Sequence, residues 1–508
     1  MTAPVPLVLD AKPLTITDVV DAARHARPVE IGPQALSALA SSRAVVEAAL
    51  RDGSPHYGIN TGFGSLSRQS IPTQDLRALQ QNLVRSHACG VGEPLPADVV
   101  RAMMVLLAAS LCRGMSGVRP VIPEQIARLL NAGLTPVVPS VGSVGASGDL
   151  APLAHVALAL IGEGYMTYQG RTLPSHEALA AANIAPISLE AKEGLALING
   201  THLMAAQGTL LCYDIERTFG AALTAAAMSI DASRATDAFL DPRVHAARNQ
   251  PGQAYVAAAL RERLRSSQII PSHRENDPRV QDPYSLRCTP QVLGAAWDCL
   301  GYVKQAVVNE LAAVTDNPLV FSGSDAGVVS AGNFHGMPLA IPLDAAAIAL
   351  SHVAGISERR TFWMLSNADP EARLKPYLTP QPGLNSGMMI AQYTAAACCN
   401  EIISLTTPAS PANVVTSAGI EDYNSFGPRA AAKARRVLDL TQTVIAIELL
   451  CAAQGLEFHR PLRSGDAVEH AHARIRERVP PLSQDRVLAG DIDAVLAMVR
   501  DGSLLPPA

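Results

Sequence analysis

A mainly α fold is what this sequence predicts, and three observations predict it. Ala-rich windows with apolar residues three and four apart recur along most of the 508 residues, the period of a helix with a buried face. Strand signals are few and short. Glycine-rich loops sit in the first half of the chain.

The N-terminal portion, to about residue 200, holds those loops at 57–65 (YGINTGFGS), 90–96 and 139–149 (PSVGSVGASGD). It also holds a helical stretch near 97–113 and a strand signal from Gly164 to Thr172. A central helical bundle follows from 201 to 455. Its helices are expected near 204–232, through Val292, Ala296, Cys299, Val303 and Ala306, and near 343–360, 386–406 and 429–454. The second of these stops by Asn317, because a residue before proline is disfavoured in a helix. The last stops at Gly455, read as a C′ glycine. Residues 456–508 form a short C-terminal helical cap.

Composition narrows the class. Hydrophobic residues are 48%, charged residues 17% and the formal net charge is -5. Disorder needs low hydrophobicity and high net charge. A nucleic-acid binder usually carries a basic patch or stripe. Spanning helices need about 20 nearly uninterrupted apolar residues; Val437 to Ala453 contains Asp439 and Glu448. The N-terminus lacks a signal-peptide pattern. A soluble, cytoplasmic chain is expected, with its apolar excess hidden in subunit interfaces. The eight cysteines show no C-x-x-C spacing and read as reduced core residues. His470 and His472 share no helix face, and no metal-ligand set occurs, so no metal is expected.

The segment Gly142 to Asp149 (GSVGASGD) matches neither a P-loop, which needs a lysine, nor a dinucleotide fingerprint, nor a G-x-S-x-G elbow. Ala146-Ser147-Gly148 has chemistry of its own. In a sharply bent backbone the Gly148 amide nitrogen can attack the Ala146 carbonyl carbon. Glycine tolerates the dihedrals this needs. Loss of water closes an imidazolone ring. Loss of the Ser147 hydroxyl as a second water leaves an exocyclic methylidene, an electrophile made from the chain itself.

The run GSVGASGDLAPLAH (142–155) resembles the signature of the aromatic amino acid ammonia-lyases that form 4-methylideneimidazol-5-one. Matching segments continue in order: YGINTGFG (57–64), NLVRSHACGVGEP (82–94), AKEGLALINGT (191–201), VQDPYSLRC (280–288), TDNPLVF (315–321), GNFHGMP (332–338), ISERR (356–360) and LNSGMMIAQYT (384–394). The resemblance runs from Tyr57 to about Asp485. It implies a fumarase/aspartase-like fold with a long central helix bundle, and a homotetramer whose active sites combine residues of neighbouring subunits. It implies no cofactor besides the ring formed from Ala146, Ser147 and Gly148.

The same resemblance implies roles. Tyr57 is the base for the β-proton, and needs its pKa lowered from about 10, for which helix N-termini would help. Arg287 holds the substrate carboxylate through its planar fork. Asn199 and Tyr284 supply hydrogen bonds around the ring. Gln281 and Phe334 line the pocket, and Gln392 matches as well. Ser86-His87 occupies the pair that reads the substrate ring, as in histidine-selective members, and Glu421 is the acidic partner. Both would be poorly satisfied beside a bare phenyl ring. The implied reaction turns L-histidine into trans-urocanate and ammonia. Residues 418–426 (AGIEDYNSF) keep Glu421 and Asp422 but depart elsewhere from the histidine-selective pattern, as does 361–381. These departures leave open a modified histidine, phenylalanine or tyrosine as substrate. They also leave open a 2,3-aminomutase using the same ring, or an inactive structural paralogue.

Overall fold

The computed structural model describes residues 4–506. Helix dominates, and the expected helices are present as Ala97–Leu111, His202–Ala232, Thr289–Glu310, Met337–Ser366, Met389–Leu405 and Gly427–Glu457. The fold is mainly α, of the helical-bundle kind. His202–Ala232 begins with a cap the local sequence does not supply. Asp149 Oδ2 accepts Leu203 N–H at 2.8 Å and Met204 N–H at 3.1 Å, two donors that the first turn leaves unpaired.

Two local readings change. Gly455 does not end its helix, which continues to Glu457. A Cβ at Gly455 would lie 3.0 Å from the Ala232 Cβ, so the glycine permits close helix packing. The single strand expected at 164–172 is instead the first arm, the turn and the start of the second arm of a hairpin. Tyr165–Tyr168 pairs antiparallel with Arg171–Pro174 across Gln169 and Gly170, at φ 48 and 76. Two successive left-handed residues match the twist of the arms.

The chain divides into two compact units. The first comprises Met1–Tyr213, Lys304–Asp344 and Pro408–Ala432; the second comprises Asp214–Val303, Ala345–Thr407 and Lys433–Ala508. They do not follow the three consecutive portions expected from the sequence, because four long helices each contribute to both.

In the first unit, helices Leu76–His87, Leu150–Leu160 and Glu193–Ile198 pack on one another. Gln80 Oε1 accepts Gly194 N–H at 2.8 Å and Leu195 N–H at 3.3 Å, tying the first helix to the start of the third. Each helix presents a functional segment at one end: His87 closes the first, 142–149 precedes the second, and Asn199 follows the third.

In the second unit the bundle is cross-linked by buried polar groups. Arg360 and Glu448 are both fully buried and paired, Nη2 to Oε2 at 2.8 Å, and Ser229 Oγ donates to Glu448 Oε1 at 2.6 Å. Helices Met337–Ser366 and Gly427–Glu457 are long and apolar enough to cross a membrane by length and composition alone, against the sequence expectation. Their most apolar windows are 67% and 89% buried inside the protein.

Candidate active site

A cavity of about 900 Å³ in the first unit gathers Tyr57, His87, Ala146, Ser147, Asn199, Phe334 and Glu421 on one wall system. These are seven of the residues singled out in the sequence, brought together from six separate segments.

The Ala-Ser-Gly segment is bent and pinned. Gly148 has φ +73, and a Cβ there would lie 2.1 Å from the Gly200 carbonyl oxygen. Asp149 N–H donates to that oxygen at 2.7 Å. Gly145, at φ +68, has no room for a side chain either, since a Cβ would meet Ser425 Oγ at 2.1 Å. Ser425 Oγ instead donates to Gly145 O at 2.9 Å, and Phe426 N–H to Val144 O at 2.9 Å. Ser143 Oγ lies 3.2 Å from Gly148 O and 3.1 Å from Asp149 Oδ1. Ala146 is buried, with no bulk to block approach to its carbonyl. The residues present therefore fit a self-cyclised ring: small, bent, and fixed on both flanks. Burial raises the Asp149 carboxyl to about 7, against the hydrogen bonds from Met204, Ser143 and Leu203.

Opposite the segment, Ser147 Oγ donates to Glu421 Oε1 at 3.1 Å, and Thr416 Oγ1 donates to Glu421 Oε2 at 3.1 Å. His87 Nδ1 lies 2.8 Å from Leu83 O, which assigns the proton to Nδ1 and leaves Nε2 as the open ring atom. Tyr57 OH accepts Gly64 N–H at 3.4 Å within its own glycine-rich loop. Its phenol is pushed above the ordinary tyrosine value, first by burial and then by the charges of Glu421 and Asp316, against the Gly64 hydrogen bond. That direction is opposite to the lowering expected from helix termini. Asn199 is 3% exposed, and its Nδ2 donates to Asn317 O at 2.9 Å and towards Asp316 Oδ1 at 3.4 Å.

A family model described as aromatic amino acid lyase matches residues 14–477. The chain belongs to the aromatic amino acid lyase family. It is a carbon–nitrogen lyase. The chain is 49% identical to a histidine ammonia-lyase of Anaeromyxobacter dehalogenans (strain 2CP-C), over 98% of this chain and 99% of that one. A crystal structure of histidine ammonia-lyase from Trypanosoma cruzi superposes with a TM-score of 0.91 at 38% identity, covering 98% and 94% of the two chains. A tyrosine aminomutase from Streptomyces globisporus superposes with a TM-score of 0.93 at 34% identity, covering 99% and 98%.

Three residues read in the sequence as parts of this aromatic amino acid lyase's site lie elsewhere. Gln281, Tyr284 and Arg287 belong to the second unit and do not line the cavity. Arg287 Nε donates to Asp282 O at 2.9 Å and Nη2 to Gln281 Oε1 at 2.8 Å, while its guanidinium lies over the Tyr284 ring at 4.6 Å. Nη1 has no partner among the described residues. Tyr284 is 71% exposed. Gln392, also in the second unit, donates to Glu358 Oε1 at 2.6 Å.

The departing stretches separate by position. Ile420, Glu421, Asp422 and Tyr423 line the cavity, whereas Ser425 and Phe426 brace the Ala-Ser-Gly segment. No residue of 361–381 lines the cavity. His335, Asn82 and Ser330 line it without having been singled out. His335 is fully engaged, Nε2 with Tyr423 O at 3.0 Å and Nδ1 with Met337 N at 3.3 Å. His335 and Asn82 lie inside segments that carry the resemblance; nothing local marked their direction.

Proposed function

We propose that the chain eliminates ammonia from L-histidine to give trans-urocanate. The observation that carries this reading is the pairing of two ring-reading polar groups, His87 and Glu421, in one cavity with Ala146-Ser147. An imidazole offers nitrogens to both, and a phenyl ring offers none. The nearly full-length identity to histidine ammonia-lyases supports it.

Ala146, Ser147 and Gly148 would form the 4-methylideneimidazol-5-one ring, whose exocyclic carbon supplies the electrophile that turns the substrate amine into a leaving group. The other residues do ordinary work. Tyr57 removes the β-proton. Glu421 accepts an imidazole N–H. His87 Nε2, unprotonated in this tautomer, accepts the second N–H of the substrate ring in its imidazolium form, and Phe334 shapes the wall. Arg287 binds the carboxylate, with Gln281 and Tyr284 beside it.

Because those three do not line the cavity of their own chain, the reading includes a homotetramer in which a neighbouring subunit supplies them. Exposed apolar side chains such as Ile403, Ile390 and Val415 supply surface for such contacts. All eight cysteines are free, as in a reducing cytoplasm.

The test is a panel of L-histidine, modified histidines, L-phenylalanine and L-tyrosine, with products separated by chromatography. Preferred conversion of histidine to urocanate is expected. A β-amino acid product would make the chain an aminomutase, the reading that the tyrosine aminomutase likeness favours. Turnover of phenylalanine above histidine would overturn the substrate assignment.

A further inference from the structure

The carboxylate of Glu421, which reads the substrate ring in the proposed reaction, has two hydrogen-bond donors among the described residues. Ser147 Oγ donates to Oε1 at 3.1 Å, and Thr416 Oγ1 donates to Oε2 at 3.1 Å. The two donors have different fates. In the proposed ring formation the Ser147 hydroxyl leaves as water, together with the serine's α-hydrogen. Oε1 then has no donor among the described residues. It is the oxygen on the side of Ser147, which lines the cavity with Glu421. Thr416 does not line the cavity. Its hydroxyl is the hold on the carboxylate that outlasts the dehydration.

The backbone is folded to bring this threonine to Glu421. Ser417, Ala418 and Gly419 are three successive left-handed residues, at φ 51, 52 and 92. The first two carry a Cβ, for which that region is sterically costly. Strain of this kind persists where surrounding bonds over-determine it. Here Thr416 N–H donates to Glu421 O at 2.9 Å, Glu421 N–H to Thr416 O at 3.3 Å and Gly419 N–H to Thr416 O at 3.1 Å. The turn thereby sets residues 416 and 421 side by side. Thr416 Oγ1 has one hydrogen and two acceptors in reach, Oε2 at 3.1 Å and Glu421 O at 3.3 Å. Glu421 O already accepts the Thr416 N–H, so the nearer carboxylate oxygen takes the hydroxyl hydrogen.

We propose that Thr416 is a positioning residue for ring recognition. Its hydroxyl holds Oε2 in the turn, which leaves Oε1, released when Ser147 is dehydrated, as the oxygen that accepts the N–H of the substrate ring. Maturation of the Ala-Ser-Gly segment thus opens the acceptor that the substrate uses. This rests on the proposed histidine reading of the site, and adds to it a residue that acts through Glu421 without touching substrate.

The test compares two ligands that lack the amine and so cannot react, 3-(imidazol-4-yl)propanoate and 3-phenylpropanoate, with binding to the ring-bearing protein followed by titration calorimetry. Thr416→Val removes the hydroxyl and keeps the shape, and Thr416→Ser keeps the hydroxyl. Ultraviolet absorbance and intact mass should show the ring in both variants. Thr416→Val should bind the imidazole ligand about tenfold more weakly, the worth of one hydrogen bond to a charged group, and the phenyl ligand within about twofold of wild type. Thr416→Ser should bind both ligands within about twofold of wild type. Equal weakening of the two ligands in Thr416→Val would mean a general distortion of the turn and overturn the proposal. Unchanged binding of the imidazole ligand, no rescue by Thr416→Ser, or a missing ring in Thr416→Val would overturn it as well. Wild-type protein that turns over phenylalanine above histidine, or releases no ammonia from either, would instead sink the histidine reading, and the role of Thr416 with it.

Discussion

Ser147 donates its hydroxyl hydrogen to Glu421 at 3.1 Å, across 274 residues of sequence. In the proposed ring formation, the hydroxyl that leaves as water sits against the carboxylate assigned to read the substrate ring. Ser147→Ala keeps the bend but has no β-leaving group. It should lack ring absorbance, keep the mass of the uncyclised chain and lose turnover. A mass lower by two waters in the variant would refute the serine's role.

Tyr57→Phe should leave the ring intact and lower kcat about 10²- to 10⁴-fold, the usual contribution of a positioned base. Steady-state kinetics with intact-mass measurement separates this from a failure of cyclisation. Near-wild-type turnover would remove Tyr57 from the reaction.

The pH dependence follows from the direction of the Tyr57 shift. Burial raises its phenol, and the charges of Glu421 and Asp316 raise it further. A base acts when deprotonated, so a raised value means that kcat/KM climbs through the alkaline range instead of levelling near neutrality. Glu421→Gln removes one of the two raising charges and should move that limb to lower pH. A limb that stays in place in the variant would show that another group controls it.

Selectivity gives a separate readout of the same variant. Glu421→Gln should reduce histidine turnover more than phenylalanine turnover, since only the imidazole loses an N–H acceptor. Equal effects on the two would place Glu421 outside ring recognition.

In the second unit, Arg360→Met should destabilise the protein by about 3–5 kcal/mol, because it leaves Glu448 charged and unpaired in the core. Adding Glu448→Leu should recover most of that loss. Denaturant midpoints of the two variants measure both effects. A double variant no better than the single would mean the pair has no apolar substitute.

Much of the helical framework was legible locally. Gly427–Glu457 and His202–Ala232 carry their period and their alanines on their face, and helix is a short-range structure. Their ends were less legible. The cap of His202–Ala232 comes from Asp149, and Gly455 answers to Ala232 rather than to its own helix end. Ala146-Ser147-Gly148 was legible as chemistry, because the reaction needs those three residue types in that order.

The sequence by itself determined the helical class and singled out Ala146-Ser147-Gly148, Tyr57, His87 and Glu421 as candidates, since each depends on neighbours a few residues away or on an ordered motif. Only the tertiary structure decided which groups share a cavity, that the Tyr57 phenol is raised, and that Arg287, Tyr284 and Gln281 do not line the cavity. Those outcomes depend on burial and on charges brought together from distant segments. Lys192 and Asp316, which form a buried ion pair, are 124 residues apart, and no local pattern records that they will meet.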